Sequence, residues 1–293
     1  MVDPSSADNF AVSVVIPTHN RIKQLPIALN SVLSQTCSVA EILVVDDGST
    51  DNTVENLSLK YKTVTFLRQK NEGVSSARNA GIKAAKSPWI ALLDSDDQWM
   101  PDKIEKQIHC LSEDNEINAC HTGEKWLRYG KQVPTARFLN KAPDGLFERS
   151  LERCIICPSS VILHRSIFEK IGFFDTNLPI CEDYDFWLRL LLNYQIGLVD
   201  EPLVVKTGGH PDQLSTSTWG LDRFHVQSLE KIYLSEELNS RQEEMVLKTI
   251  ARKADLLAKG FIKHGKEGEA RKYNDMRRLA LENLGLLTSV PAS

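Results

Sequence analysis

The chain of 293 residues has no apolar run approaching the roughly 20 residues that cross a bilayer. Its longest runs, such as Val12 to Ile16, Trp89 to Leu93 and Leu190 to Leu192, are core-sized. The first nine residues carry no Lys or Arg and no apolar core, which speaks against a signal peptide. These absences predict a cytoplasmic protein, with room for peripheral contact at the inner face of a membrane. A basic excess is missing too. The 35 Lys and Arg against 39 Asp and Glu leave a net charge of −4, so no nucleic-acid partner is expected. Six cysteines are too few for a disulfide framework in a chain of this length. Cys154 and Cys157 form one CxxC, which Cys181 and His164 would have to complete into a zinc site. The simpler expectation is reduced, mostly buried thiols. Glycine is absent from Val14 to Leu33, which excludes a GxGxxG dehydrogenase and a glycine-rich nucleotidyltransferase loop after the first strand.

What is present is a rhythm. Ala11 to Ile16 reads as a strand buried on both faces and stops at Pro17. Ile22 to Ser34 reads as a helix with Pro26 in its first turn. Ile42 to Val45, Val64 to Leu67 and Trp89 to Leu93 are further strands. A helix capped by Asp51 or Asn52, and a small-residue helix over Gly73 to Ala85, connect them. Pro101 opens another helix. This alternation predicts an α/β fold with a Rossmann-like, mostly parallel open sheet flanked by helices. Residues 116–206 carry less regular strands and helices near Arg165 to Ile171 and Tyr184 to Asn193. From about Trp219 the chain turns rich in Lys, Glu, Leu and Ala. Leu247, Ile250, Ala254, Leu257 and Phe261 form a helix-packing seam, and Ala270, Tyr273, Met276 and Ala280 continue it beyond a break at Gly265 and Gly268. The expected division is a catalytic region over 1–217, with parts at about 11–115 and 116–217, and a helical extension over 218–293.

Ligands of open α/β sheets bind outside the carboxyl ends of the strands. Three polar clusters follow predicted strands directly: Thr18/Asn20/Arg21, Asp46/Asp47 and Asp94/Asp96/Asp97. The last three carboxylates repel one another unless a positive charge sits among them. Mg²⁺ and Mn²⁺ favour such oxygen ligands together with phosphates. The alternative is a turn before the Pro101 helix. Asp46 and Asp47 either accept hydrogen bonds from a base or ribose, or serve the turn that Asp-Gly-Ser signals. Arg78 either reaches a nucleotide or lies on a solvated face. Glu182 and Asp183 supply a general base, cap a helix N-terminus, or do both. Trp187 is an acceptor wall or core. His210, after Gly208-Gly209, is a metal or diphosphate contact or an ordinary loop histidine. A dehalogenase-type phosphatase would need its DxD on the first strand, which here ends in Pro17-Thr18-His19.

Five segments in order, VVIPTHNR (from Val14), VVDDGSTDNT (from Val44), NEGVSSARNAGI (from Asn71), WIALLDSDDQWMPDK (from Trp89) and EDYDFWLRL (from Glu182), together resemble the family 2 glycosyltransferases over about Ala11 to Ser217. The resemblance implies the GT-A fold and inverting transfer from a nucleoside-diphosphate sugar, with UDP expected. Pro17, Thr18 and Arg21 match its first nucleotide loop, Asp47 beside Asp46 its base contact, and Arg78 a nucleotide-contacting arginine. Asp94-Ser95-Asp96 matches its DxD. Asp96 is the first candidate ligand of Mn²⁺ or Mg²⁺, shared with Asp94, Asp97 and His210. Asp183 matches the catalytic base, with Glu182 beside it.

The expected partners are a nucleotide-sugar donor and a saccharide, lipid-linked sugar or protein acceptor, as in polysaccharide biosynthesis. The helical tail is expected to pack on the catalytic part or to form a homodimer. The competing reading is a catalytically silent sugar-nucleotide binder or assembly module.

Overall fold

The computed structural model describes residues 10–134, 139–209 and 219–287. Strand β1 (Val12–Thr18) leads to helix α1 (Leu25–Leu33), β2 (Glu41–Asp47), α2 (Thr53–Lys60), β3 (Thr65–Gln69), α3 (Val74–Ala84) and β4 (Trp89–Leu92). These four strands run parallel in the order β3-β2-β1-β4. The apolar run of β1 alternates its partners as a strand must. Val14 and Ile16 pack with Leu25, Leu29 and Val44 on one face, while Val15 packs with Leu43, Ile82 and Ile90 on the other. Both faces are covered, so the polar residues that end each strand are left at one edge.

Strand β5 (Gln98–Trp99), α4 (Lys103–Glu113), β6 (Ala119–Arg128), β7 (Lys131–Val133), α5 (Leu146–Glu152), β8 (Ile162–His164), α6 (Arg165–Ile171), α7 (Glu182–Asn193) and β9 (Gly197–Gly208) follow. The sheet continues through β8, β6, β9 and β5. Here the parallel expectation is modified. β8 is antiparallel to both β4 and β6, β5 is antiparallel to β9, and only β6 and β9 pair in parallel. The register of β6 on β9 shifts between Thr122 and Glu124. Such a bulge bends the strand and re-aims its side chains.

Helix α3 lies close to the sheet because Gly81 faces it. A β-carbon there would overlap Val15 and sit 3.0 Å from Val45 Cγ2. Gly81→Ala therefore overpacks β1 and β2 and costs about 1–3 kcal/mol. Urea unfolding is expected to show a lower midpoint with the m-value unchanged.

The tail forms α8 (Asp222–Ser235), α9 (Ser240–Lys263) and α10 (Glu267–Asn283). The seam read from the sequence is buried: Leu247, Ile250, Ala254, Leu257 and Phe261 all face inward. The break falls at Gly265, while Gly268 lies inside the first turn of α10. Leu229, Ile232, Val246 and Ile250 pack against Leu151 of α5 and against Tyr184 and Leu188 of α7. Buried Lys253 fastens the same contact, donating to the Glu152 carbonyl at 2.9 Å and to Asp222 Oδ1 at 2.6 Å. The tail thus packs on the α/β part of the chain, through α5 and α7. Among the described residues no helix is long and apolar enough to cross a membrane.

The described cysteines carry no disulfide. Cys120 and Cys157 are buried and the other four are half-buried, fewer buried thiols than expected.

Candidate active site

The polar strand ends meet at one cavity of about 800 Å³, lined among others by Thr18, Asp47, Asp96, Asp183, Lys206 and His225. Residues from well-separated stretches of the chain and from the tail therefore share one wall.

The first two loops are stitched together. Asn20 takes a left-handed conformation at φ 53, which asparagine tolerates better than most residues. Its amide donates to Ser49 Oγ at 2.8 Å, and its side-chain oxygen accepts from the Thr50 amide at 2.8 Å. Gly48 is required at the same turn. Its φ is +75 and a β-carbon would lie 2.8 Å from the Asn71 amide nitrogen. Asp47 organises the neighbouring loop: Oδ1 accepts from Gln69 Nε2 at 2.8 Å and from the Glu72 amide at 2.9 Å, and Oδ2 accepts from the Gly73 amide at 2.9 Å. A carboxylate has about four lone-pair sites, so these three donors leave one for a ligand. Asp46 is different. It is fully buried, accepts from the Ser49 amide at 3.2 Å, lies 3.3 Å from Arg68 Nε and is not among the residues lining the cavity. Of the two readings open for it, turn chemistry is the one the structure displays.

The acidic loop after β4 does not act as one cluster. Asp94 Oδ1 accepts from Arg78 Nη2 at 2.7 Å, and Asp96 lies 4.0 Å from Arg21 Nη2. Asp97 turns inward, accepting from Ser159 Oγ at 2.7 Å and from the Thr207 amide at 3.1 Å. Burial pushes the Asp97 carboxyl up to about 8; Lys206 opposes the shift, and Asp94 and Asp96 reinforce it. Ser95, between them, is buried and touches the cavity. Among the described residues no three His, Cys, Asp or Glu side chains group to hold one ion. Of the expected ligands, Asp97 serves the loop in this structure, and His210 lies outside the described residues. What fits a divalent cation is the pair Asp94 and Asp96, both of whose side chains remain about one-fifth exposed at the cavity wall. Hard cations are commonly held in this way, by one or two carboxylates with phosphate oxygens completing the shell.

The Glu182-Asp183-Tyr184-Asp185 turn opens α7 with three carboxylates near a helix N-terminus, where negative charge is favoured. Two of the three are already paired. Arg78 Nη1 donates to Glu182 Oε1 at 2.5 Å, and Asp185 is bound by Arg189 at 2.8 and 3.0 Å and by Lys231 at 2.9 Å. Burial raises the Glu182 carboxyl above its ordinary value; Arg78 opposes this and the Asp183 charge adds to it. Among the described residues no cation forms an ion pair with Asp183. Its Oδ1 accepts from the Tyr184 amide at 2.8 Å, its Oδ2 lies 3.3 Å from Cys154 Sγ, and it faces the cavity half-buried.

Arg78 is buried, which overturns the solvated-face reading, and its guanidinium is engaged by Asp94 and Glu182. Burial opposes its charge, and the two carboxylates outweigh that and raise its pKa. Trp187 is core, packed edge-on to Phe174 and Phe186. Pro17, Thr18 and Arg21 line the cavity as expected. Sequence reading missed Lys206, whose ammonium lies 5.0 Å from the Trp126 ring centroid and which borders the cavity beside Asp97. The available signal was a lysine directly after the apolar Leu203-Val204-Val205. It also missed His225, brought in by the tail and stacked on Tyr184 at 4.1 Å.

An acidic crevice at the carboxyl ends of a parallel half-sheet, flanked by helices, defines the molecule as an α/β protein built to hold a ligand at that edge. The chain belongs to Glycosyl transferase family 2, whose sequence profile matches residues 13–172, more than half of its length. It is similar to an uncharacterized glycosyltransferase of Rickettsia felis, 34% identical over 233 residues, which cover 77% of this chain and 38% of that protein. The match to a Rickettsia conorii relative likewise spans 38% of the relative's length. WfgD of Escherichia coli, a UDP-Glc:alpha-D-GlcNAc-diphosphoundecaprenol beta-1,3-glucosyltransferase, is 30% identical over 200 residues, covering 66% of this chain and 74% of WfgD. In fold the chain is similar to S. aureus TarS 1-349 in complex with UDP-GlcNAc, with a TM-score of 0.62, 17% identity, and coverage of 95% of this chain and 93% of that one. The architecture is of the GT-A type.

Proposed function

We propose that the protein transfers a sugar from a UDP-sugar to an acceptor hydroxyl with inversion, and that Asp183 is the general base. The observation that carries this reading is the contrast within one turn: Glu182 and Asp185 are locked by cations, while Asp183 alone meets the cavity with a backbone amide and a thiol. An attacking hydroxyl must lose its proton as it reaches the anomeric carbon, and a carboxylate without a cationic partner is suited to take it. The remaining lone pair of Asp47 suits the imide N–H of uracil. Asp94 and Asp96 would hold a divalent cation, which neutralises charge on the departing diphosphate when bound. Arg21 and Lys206, at the same wall, add positive charge toward that diphosphate.

The name of WfgD supports a glucose or similar donor and a diphospho-lipid-linked GlcNAc acceptor, and the UDP-GlcNAc complex of TarS supports a UDP-sugar in this fold. The direct test incubates the full chain with Mn²⁺, UDP-glucose or UDP-GlcNAc, and GlcNAc-diphosphoundecaprenol, and follows UDP release. Acceptor-dependent release is expected. UDP alone should also raise the unfolding temperature, since a ligand present at about 100 times its Kd stabilises by about 2.7 kcal/mol. Absence of both release and thermal shift for every UDP-sugar would contradict the reading; a shift without release would identify a silent binder.

A further inference from the structure

We propose that Cys154 is a positioning residue for Asp183: its thiol donates to Asp183 Oδ2 and, with the Tyr184 amide on Oδ1, fixes the carboxylate at the cavity wall. This rests on the reading of Asp183 as the base. Cys154 follows α5 by two residues and lines the same cavity. Its sulfur lies 3.3 Å from Asp183 Oδ2 and 3.3 Å from the Ile156 carbonyl. A thiol has a single proton, and the charged carboxylate is the stronger of the two acceptors.

The chemistry of this partner differs from that of its neighbours. Glu182 and Asp185 are held by guanidinium and ammonium groups. An opposite charge stabilises a carboxylate and thereby makes it a poorer proton acceptor. A neutral donor orients the oxygen without placing an opposite charge beside it. The thiol is held in its neutral, donating form. Burial pushes its pKa well above the ordinary value, and the Asp183 charge adds to the rise. Cys181, also facing this turn, is pushed up to about 12, first by burial and then by Asp183, so it too is neutral. Of the charged groups around the turn, Arg78 binds Glu182 and Asp94, and Lys206 stacks on Trp126.

The test is steady-state kinetics of the full chain with the UDP-sugar and acceptor that give the fastest UDP release in the assay above. Cys154→Ala is expected to lower kcat about tenfold, the loss of one hydrogen bond to a charged group, with donor KM unchanged. Cys154→Ser keeps a donor and should recover most of kcat. Cys154→Val fills the space without a donor and should behave like Cys154→Ala, which covers the case in which the alanine variant folds poorly. In an Asp183→Asn background, Cys154→Ala should cause no further loss. An unchanged kcat in Cys154→Val, or a serine variant as slow as the alanine variant, would overturn the proposal while leaving the base assignment intact. Full turnover by Asp183→Asn would instead overturn the base assignment, and this proposal with it.

Discussion

Asp183→Asn is expected to lower sugar transfer by about a thousandfold, within the range that a positioned general base contributes. The amide is nearly the same size and still accepts the Tyr184 amide hydrogen bond, so the start of α7 should remain intact. What disappears is the ability to take a proton. UDP affinity should stay within about a factor of two, because the Asp47 loop and the acidic loop after β4, where the nucleotide is proposed to bind, belong to other strands. Measured together, kcat and UDP Kd separate a chemical role from a binding one. A parallel Glu182→Gln substitution should act mainly on stability, since that carboxylate is committed to Arg78.

Arg78→Met carries the largest expected stability effect. The guanidinium is buried and joins Asp94 on the acidic loop to Glu182 on α7. Removing one member of a buried pair leaves uncompensated charge and costs about 3–5 kcal/mol. The pH dependence has a defined sign. Burial already holds the Glu182 carboxyl above its ordinary value while Arg78 pulls it down. Without Arg78 the folded state binds that proton still more strongly than the unfolded chain does. Stability of the variant should therefore rise as pH falls through the range above the ordinary glutamate value, and fall as pH rises. Thermal unfolding across that range checks it, and adding Glu182→Gln to Arg78→Met should weaken the dependence to the part that the raised Asp97 carboxyl contributes.

The parts of the site legible in the sequence share one property: each lies where a continuous apolar run stops. Val12 to Ile16 can only be a doubly buried strand, so Pro17, Thr18 and Arg21 had to emerge at its carboxyl end. The same logic brings Asp47 and Asp94 to that edge. The tail seam was legible because the spacing of Leu247, Ile250, Ala254, Leu257 and Phe261 is a purely local pattern. Strands β6 and β9 were not legible, because His121, Thr122, Glu124 and Lys125 interrupt the alternation and a bulge shifts their register. β3 was read too short for a related reason. Its last residues, Arg68 and Gln69, are polar because they serve Asp46 and Asp47 across the ladder.

Pairings between distant segments were invisible for a different reason. Arg78 and Glu182 are 104 positions apart, and no local pattern states that they meet. The DSDD segment therefore read as one acidic cluster, whereas in the fold Asp94, Asp96 and Asp97 have three different sets of partners. Cys154 was read only as half of a CxxC, and its contact with Asp183 depends on the approach of α5 to α7.

The central claim is that side chains from separate strands and from α7 form one pocket for an activated sugar. A crystal structure of Asp183→Asn with an intact UDP-sugar and Mn²⁺ tests it most directly. The account predicts uracil against Asp47, the diphosphate beside Asp96 and Arg21, and the anomeric carbon facing residue 183. A nucleotide bound away from Asp47, or a sugar pointing away from α7, would contradict it.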